Sequence, residues 1–210
     1  MKKNLLVLVV CFFIALSPSF AQKSKFGLRV GTALTGHSGS DYTKGPYERD
    51  KFGLTAGFYV NSKINDFFWI KTDFNFVNKG TYHKTPTFGR MRNNLYYVDL
   101  YPISPTFHFK GVQIFAGPAV NFLVMNVYDD IENGKKVTKQ DGEVEHLNRF
   151  DFGYVAGLEY QLPFGLNFGI RYVNNMSKLV IDPIDAEKKY NVYNRAILFT
   201  LGYTFGDNDD

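Results

Sequence analysis

Most of the chain alternates between apolar residues and polar or small residues with a period of two. In the stretch FDFGYVAGLEYQL (residues 150–162), one set of positions is rich in Phe and Tyr, and the intervening set holds Asp, Gly and Glu. A period of two places alternate side chains on opposite faces of a β-strand. The stretch is therefore predicted to be a strand with one apolar face and one polar or small face.

The same alternation recurs along the chain and predicts an all-β fold. Each candidate strand is long enough to cross a membrane when tilted. The eight segments are residues 25–35, 51–61, 67–77, 94–109, 112–127, 150–162, 166–176 and 194–205. Pro102 and Pro105 interrupt the fourth segment. Because proline cannot donate a ladder hydrogen bond, we expect a bulge or a change of face there.

The links between these segments alternate in length. Short links are residues 62–66, 110–111 and 163–165, and long polar links are residues 36–50, 78–93, 128–149 and 177–193. With an even number of strands, all long links share one end of a barrel and both termini share the other. Short periplasmic turns and long outer loops are typical of an outer-membrane barrel.

The first residues indicate export. Lys2 and Lys3 precede the apolar run LLVLVVCFFIAL (residues 5–16), and Ser19-Phe20-Ala21 follows it. This is the pattern of a secretory signal peptide, so we expect residues 1–21 to be cleaved and residues 22–210 to form one barrel domain. An uncleaved anchor helix is the alternative. The single Cys11 lies within the apolar run, so the mature chain has no thiolate nucleophile and no cysteine ligand for a metal.

Charge and composition exclude further classes. Without Lys2 and Lys3, 22 basic residues face 20 acidic ones, which gives no concentrated basic stripe for nucleic acid. Residues 128–146 are rich in Asp and Glu, but their spacing matches no EF-hand and lysines offset the charge. We therefore predict neither a metal site nor a cofactor.

The polar faces of the strands combine glycine with charges of both signs. Such residues suit a narrow closed lumen, where each buried charge needs a partner. The predicted lumen charge network consists of Arg29, Lys71, Asp73, Asp99, Glu159 and Arg171. The opposite faces are dense in aromatic residues, and Tyr160, Tyr172 and Tyr203 fall near strand ends as an aromatic girdle would.

These faces predict an eight-stranded, antiparallel, up-and-down transmembrane β-barrel in the outer membrane, with the apolar faces toward lipid. The alternative is a soluble, secreted, lipocalin-like barrel that binds a ligand with its apolar faces turned inward.

Four segments carry a family resemblance to the PorT-like outer-membrane β-barrel family of Gram-negative bacteria. The residues that resemble this family are Asp99 and Pro102 in the fourth strand, Ala116-Gly117-Pro118 in the fifth, Asp151-Phe152-Gly153 and Gly157 in the sixth, and Arg171-Tyr172 in the seventh. The resemblance implies the fold and the outer-membrane location. It also implies a structural or interaction role in the envelope, because some members serve protein export through the type IX secretion system.

No catalytic constellation stands out among the four histidines, which are His37, His83, His108 and His146. His37 and Ser38 are adjacent in a predicted loop, but catalysis needs a nucleophile within reach of an oriented base. We therefore predict a non-enzymatic protein whose partners are outer-membrane lipid and other envelope or secretion proteins. An outer-membrane lipid-modifying enzyme is the alternative.

Overall fold

A computed structural model of the chain describes residues 24–39, 48–85, 89–132, 135–140, 147–179 and 191–206. The predicted signal peptide and its cleavage after Ala21 lie outside these residues. Among the described residues, no helix has the length and apolarity to cross a membrane. The strands are β1 (Ser24–Ser38), β2 (Glu48–Lys63), β3 (Phe68–Lys79), β4 (Thr81–Thr85), β5 (Gly89–Phe109), β6 (Val112–Glu132), β7 (Lys135–Gln140), β8 (Phe150–Gln161), β9 (Leu166–Asn175) and β10 (Tyr193–Phe205).

Eight of these strands close into a barrel. Each long strand pairs antiparallel with its neighbours in the order β1, β2, β3, β5, β6, β8, β9 and β10. The ring closes because β1 pairs with β10, with Phe26 opposite Phe205 at one end and Ser38 opposite Tyr193 at the other. Closure leaves no sheet edge within the membrane, where unpaired backbone groups would have no partner. The prediction of an eight-stranded antiparallel barrel is confirmed.

The two short strands correct the sequence-based assignment of two long loops. β4 continues β3 after Gly80, whose φ of 129° is a left-handed conformation that favours glycine. β7 pairs with the outer part of β6 in a tight hairpin. Much of residues 78–93 and 128–149 is therefore strand and not loop. The prediction missed this because short polar strands above a membrane lack the alternation of the lipid-facing segments.

The apolar faces of the barrel point outward. Phe52 and Leu54 are 71% and 72% exposed, whereas Lys71 and Asp99 of the polar faces are 0% exposed. Tyr160, Tyr172 and Tyr203 are also exposed near strand ends, as expected for an aromatic girdle. A soluble lipocalin-like barrel requires the reverse arrangement, so this alternative is wrong. The outward aromatic and aliphatic side chains instead form the surface that a lipid-facing barrel needs.

The two prolines of β5 mark a change of face, as the sequence predicted. The β5–β6 register shifts between Leu100 and Thr106. Tyr101 and Ser104 are both buried although they are three positions apart along the strand, and Ile103 between them is exposed. An odd spacing between two inward residues means that the alternation has moved by one position.

The short turns identify the periplasmic end. Lys110 and Gly111 join β5 to β6 with φ values of 48° and 84°, which are typical of a two-residue type I′ hairpin turn. The short β2–β3 and β8–β9 turns, the start of β1 and the end of β10 lie at the same end of the barrel. β5 and β6 have 21 residues each, about twice the number that a tilted strand needs to cross the membrane. These two strands therefore extend past the membrane at the outer end.

Candidate functional site

The lumen of the barrel is filled by charged side chains that balance. Among the described residues, the buried lumen cations are Arg29, Lys71, Lys79 and Arg171, and the buried lumen carboxylates are Asp73, Asp99, Asp151 and Glu159. Four cations against four carboxylates give no formal net charge. This balance suits a closed interior, because an uncompensated buried charge is strongly destabilising.

Glu159 of β8 is the centre of the lower part of this network. Its carboxylate accepts a hydrogen bond from Arg29 Nη1 at 3.2 Å and a further one from Lys71 Nζ, and it forms an ion pair with Arg171. The three cations come from β1, β3 and β9. One carboxylate therefore links strands on opposite walls of the barrel.

Asp73 is the second carboxylate of the same layer. Arg29 Nη2 lies 2.8 Å from Asp73 Oδ1, and Arg171 Nη2 lies 3.9 Å from the same oxygen. The two arginines thus bridge Asp73 and Glu159. The structure brings together five of the six side chains that the sequence analysis selected, leaving Asp99 in a separate pair.

Asp99 pairs with a lysine that the sequence analysis missed. Lys79 Nζ lies 2.9 Å from Asp99 Oδ2, and Tyr101 Oη donates a hydrogen bond to the same oxygen at 3.3 Å. Lys79 lies two residues beyond the third predicted segment, within the predicted link 78–93. The predicted network also lacks Asp151, although this residue lies on the polar face of its strand. Its carboxylate accepts a hydrogen bond from Asn175.

Aromatic rings complete the charged layer. The Arg29 guanidinium lies 3.9 Å from the centre of the Tyr59 ring, and Lys71 Nζ and Arg171 Cζ lie 4.7 Å and 5.3 Å from the centre of the Phe115 ring. A cation over an aromatic face is stabilised by the ring quadrupole, most strongly where water is excluded. The rings therefore add to the stabilisation that the carboxylates give these cations.

The glycines of the polar faces make room for these large side chains. A β-carbon at Gly27 would overlap the ring of Tyr59, and one at Gly157 would overlap the ring of Phe115. A lumen of eight strands is only wide enough to be filled by side chains. Glycine alternates with large residues on the inward face because the lumen has no room for a further side chain at these positions.

The periplasmic end of the lumen is lined by uncharged polar groups. Tyr59 Oη and Thr204 Oγ1 share a hydrogen bond of 2.7 Å, and Asn167 Nδ2 donates to Tyr59 Oη at 2.6 Å. Trp69 is buried there and stacks on His108 at 4.6 Å between ring centres. These contacts close the lumen below the charged layer.

An apolar cluster covers the outer end of the lumen. Leu95, Tyr97 and Leu123 of the barrel wall pack with Leu179, which follows β9. Two backbone hydrogen bonds hold this segment in place: Asn148 donates to the Leu179 carbonyl, and Leu179 donates to the Val192 carbonyl, both at 2.8 Å. The lumen therefore has an apolar cover above its charged layer.

Lys51 of β2 forms hydrogen bonds to β3 and β5 at the outer rim of the barrel. Its Nζ donates hydrogen bonds to Asn78 Oδ1 and Asn94 Oδ1, each at 2.5 Å, and to the Lys79 carbonyl at 3.3 Å. Asn94 Nδ2 in turn donates to Asp129 Oδ2 at 3.2 Å. The cluster links β2, β3, β5 and β6 at the level where the barrel leaves the membrane.

The structure describes the side chains of two histidines, His37 and His108. His37 Nδ1 lies 3.7 Å from Glu48 Oε1, and His108 stacks on Trp69. The structure gives His83 a place in the backbone of β4, and His146 lies outside the described residues. In the ranges that the structure describes, no group of three His, Cys, Asp or Glu side chains could hold a metal ion. Part of the acidic segment 128–146 lies outside those ranges.

A groove of about 560 Å³ lies where β8, β9, β10 and β1 adjoin. Apart from Thr32, its exposed lining residues are aliphatic and aromatic and include Leu158, Ile170 and Leu201. These side chains belong to the outward face of the barrel. The groove therefore faces acyl chains and lacks the convergent polar groups of a small-molecule site.

A closed eight-stranded barrel with an apolar outer face and a charged, filled lumen defines an outer-membrane β-barrel protein. The family model of the outer membrane protein beta-barrel domain matches residues 20–180. The chain belongs to this family, and it is an outer-membrane protein. No curated protein matches the sequence.

Solved structures show the same fold. The chain is similar to Neisserial surface protein A, with a TM-score of 0.52, 14% identity, and coverage of 88% of this chain and 100% of that one. It is also similar to Ail, the attachment invasion locus protein of Yersinia pestis, with a TM-score of 0.50, 14% identity and the same coverage. At this identity the likeness concerns the fold.

Proposed function

We propose that the protein is a non-conducting, non-enzymatic barrel that serves the envelope by binding another envelope protein at its outer end. The observation that carries this proposal is the occupied lumen. Glu159 joins cations from three strands, and the cluster around Leu179 covers the mouth above them. A barrel without a solute path acts through its surfaces.

A transport role is disfavoured by the same side chains. A channel needs a continuous path lined by groups that replace the hydration of the solute. In this lumen, Arg171 and Lys71 are almost completely buried and in contact with Glu159. We expect no ion conductance from the purified barrel in planar bilayers.

The contacts of the described side chains do not favour an enzymatic role. Acyl transfer or hydrolysis requires a nucleophile within hydrogen-bond reach of a base that a third group orients. The contacts described for His37 and His108 are to a carboxylate and to an indole ring. A lipid-turnover assay with the purified barrel tests this part of the proposal, and turnover would contradict it.

The outer end offers a surface that fits a protein partner. Above the membrane, β4, β5, β6 and β7 form a sheet continuous with the barrel wall. Among the described strands, β7 pairs with β6 alone. The second edge of such a strand presents backbone donors and acceptors to which an extended segment of another protein can add.

A mild-detergent pull-down tests the proposed partner. The bait is the full chain with an affinity tag, and the matched variant has the tip of the β6–β7 hairpin shortened by replacing residues 130–137 with Asn-Gly. We expect large envelope proteins to copurify with the unmodified chain and to be lost from the variant. Identical sets of proteins from both baits would overturn the proposal.

The type IX secretion role that the PorT resemblance implies is a narrower form of this proposal. It requires components of that secretion system to be among the proteins retained by the unmodified chain and lost from the variant. Their absence, with other envelope proteins retained, would leave the broader interaction role and remove the narrower one.

A further inference from the structure

The arginines of the chain are distributed unevenly between its two ends. Of the seven, Arg29 and Arg171 lie in the lumen, and the other five lie at the outer end of the barrel: Arg49, Arg90, Arg92, Arg149 and Arg195. At the periplasmic end, the described cations are lysines: Lys25, Lys63 and Lys110. The side chains of Arg49, Arg92, Arg149 and Arg195 are exposed, and we call these four residues the outer arginine belt.

Two members of the belt lie in one row of the sheet. Arg49 pairs with Tyr82, Tyr82 with Arg92, and Arg92 with Asp129. Directly opposite residues of adjacent strands project from the same face. The Arg92 guanidinium lies 5.6 Å from the centre of the Tyr82 ring, so the ring supports one side of the cation.

This row faces away from the barrel axis. The β3–β5 register continues without a shift into β4–β5, and in it the exposed Phe76 is opposite Val98, so Arg92 belongs to the outward set of positions on β5. On β6, Asn126 is buried in the lumen and Asp129 likewise belongs to the opposite set. The arginines therefore project on the face that, lower on the same strands, meets lipid.

The belt lies at the height of the lipid headgroups. The register of β2 against β3 and β4 shifts by one residue between Asp50 and Thr55, so Arg49 and the lipid-facing Phe52 share a face although they are three positions apart. Arg49 lies outward from Phe52 by about 10 Å along the strand, which is about 7 Å in height at a tilt of 45°. The headgroup layer extends roughly 5–8 Å beyond the hydrocarbon on each side. Arg195 lies four residues outward from the lipid-facing Phe199 on β10, so it reaches a similar level.

The chemistry of the belt fits phosphate. A guanidinium presents a planar fork of donors that binds phosphate oxygens in pairs, whereas an ammonium group acts as a point charge. The row contains two arginines and a single carboxylate, Asp129, which also accepts a hydrogen bond from Asn94. Among the side chains that the structure describes, this row therefore carries an excess of positive charge directly above an apolar band.

We propose that the outer arginine belt binds the phosphate groups of a glycolipid in the outer leaflet. The acyl chains of this lipid lie against the apolar face around Phe52 and Leu54, and its phosphates meet Arg49 and Arg92. The proposal rests on the outer-membrane location of the barrel and is independent of the protein partner proposed above.

Titration of the purified full chain with lipid A, followed by native mass spectrometry in mild detergent, tests the proposal. We compare the unmodified chain with Arg49→Gln/Arg92→Gln and with Lys25→Gln/Lys63→Gln, which removes two cations from the periplasmic end. Slower migration after heating on a gel confirms that each variant is folded. We expect the arginine variant to bind lipid A at least about tenfold more weakly, and the lysine variant to bind normally.

Two further arms identify the source of the phosphate. In the first, dephosphorylated lipid A is added to the unmodified chain and should bind as weakly as intact lipid A binds to the arginine variant. In the second, inorganic phosphate at the same molar concentration is added to the complex with intact lipid A and should not displace the lipid. Equal binding of the dephosphorylated lipid, equal loss in the lysine variant, or displacement by inorganic phosphate would each overturn the proposal. The pull-down measures the binding of envelope proteins independently of lipid A, so the proposed protein partner and the proposed lipid site can each be rejected without the other.

Discussion

Arg171 and Glu159 form an ion pair inside the barrel, although they lie on different strands and neither is directly opposite the other. Arg171 is opposite Gly157, and Glu159 is opposite Gly169. Gly169 leaves the space that the Glu159 side chain occupies, because a β-carbon there would lie 2.7 Å from Glu159 Cγ. The pair therefore depends on this small residue as well as on the two charges.

Removal of Arg171 tests the role of the network. We expect Arg171→Ala to lower the free energy of unfolding by about 3–5 kcal/mol, because Asp73 and Glu159 each lose a cation within a dry interior. Urea unfolding of the barrel in detergent micelles measures the change. Lys110→Ala in the exposed periplasmic turn is the control and should be close to neutral. A stability of Arg171→Ala equal to that of the control would contradict the structural role.

The Lys79–Asp99 pair gives a sharper test through a double-mutant cycle. Lys79→Met alone leaves a buried carboxylate without its cation and should destabilise by about 3–5 kcal/mol. Lys79→Met with Asp99→Leu removes both charges and should cost less than the single change, because no unpaired charge remains. Additive losses in the cycle would show that the two side chains do not interact.

We expect a methyl group at Gly27 to be tolerated only when the ring of Tyr59 is removed. Gly27→Ala places its β-carbon in the Tyr59 ring and should cost about 1–3 kcal/mol. In a Tyr59→Ala background, the same change should be close to neutral. The measurement is again unfolding by urea for the four members of the cycle. Equal costs in both backgrounds would mean that the ring does not occupy this space.

A charged residue on the outward face should be more destabilising the closer it lies to the middle of the membrane. Leu201→Arg, in the middle of the apolar band, should destabilise by about 2–4 kcal/mol, whereas Phe205→Arg at the periplasmic end should cost about 0–1 kcal/mol. Folding equilibria in phospholipid vesicles measure both. The same cost at both depths would be inconsistent with a lipid-facing surface.

Much of the fold could be predicted because lipid and lumen impose opposite demands on alternate residues. Phe199, Leu201 and Tyr203 could be assigned to lipid from their spacing alone, and Arg29 and Glu159 to the opposite face. The sequence does not predict the strands β4 and β7, because above the membrane both faces of a strand meet water and the alternation that identifies a lipid-facing strand is absent. Lys79 is buried in the lumen, but it lies beyond Val77, where the third predicted segment ends.

The sequence by itself determined which side chains face lipid and which face the interior, because a strand has only two faces. Only the tertiary structure decided which charges meet. Arg29 and Glu159 are 130 residues apart in the chain, and closure of β1 against β10 brings their strands around one narrow lumen. The cover formed by Leu179 was decided in the same way, because its contacts with Leu95, Tyr97 and Leu123 exist only once the wall of the barrel is complete.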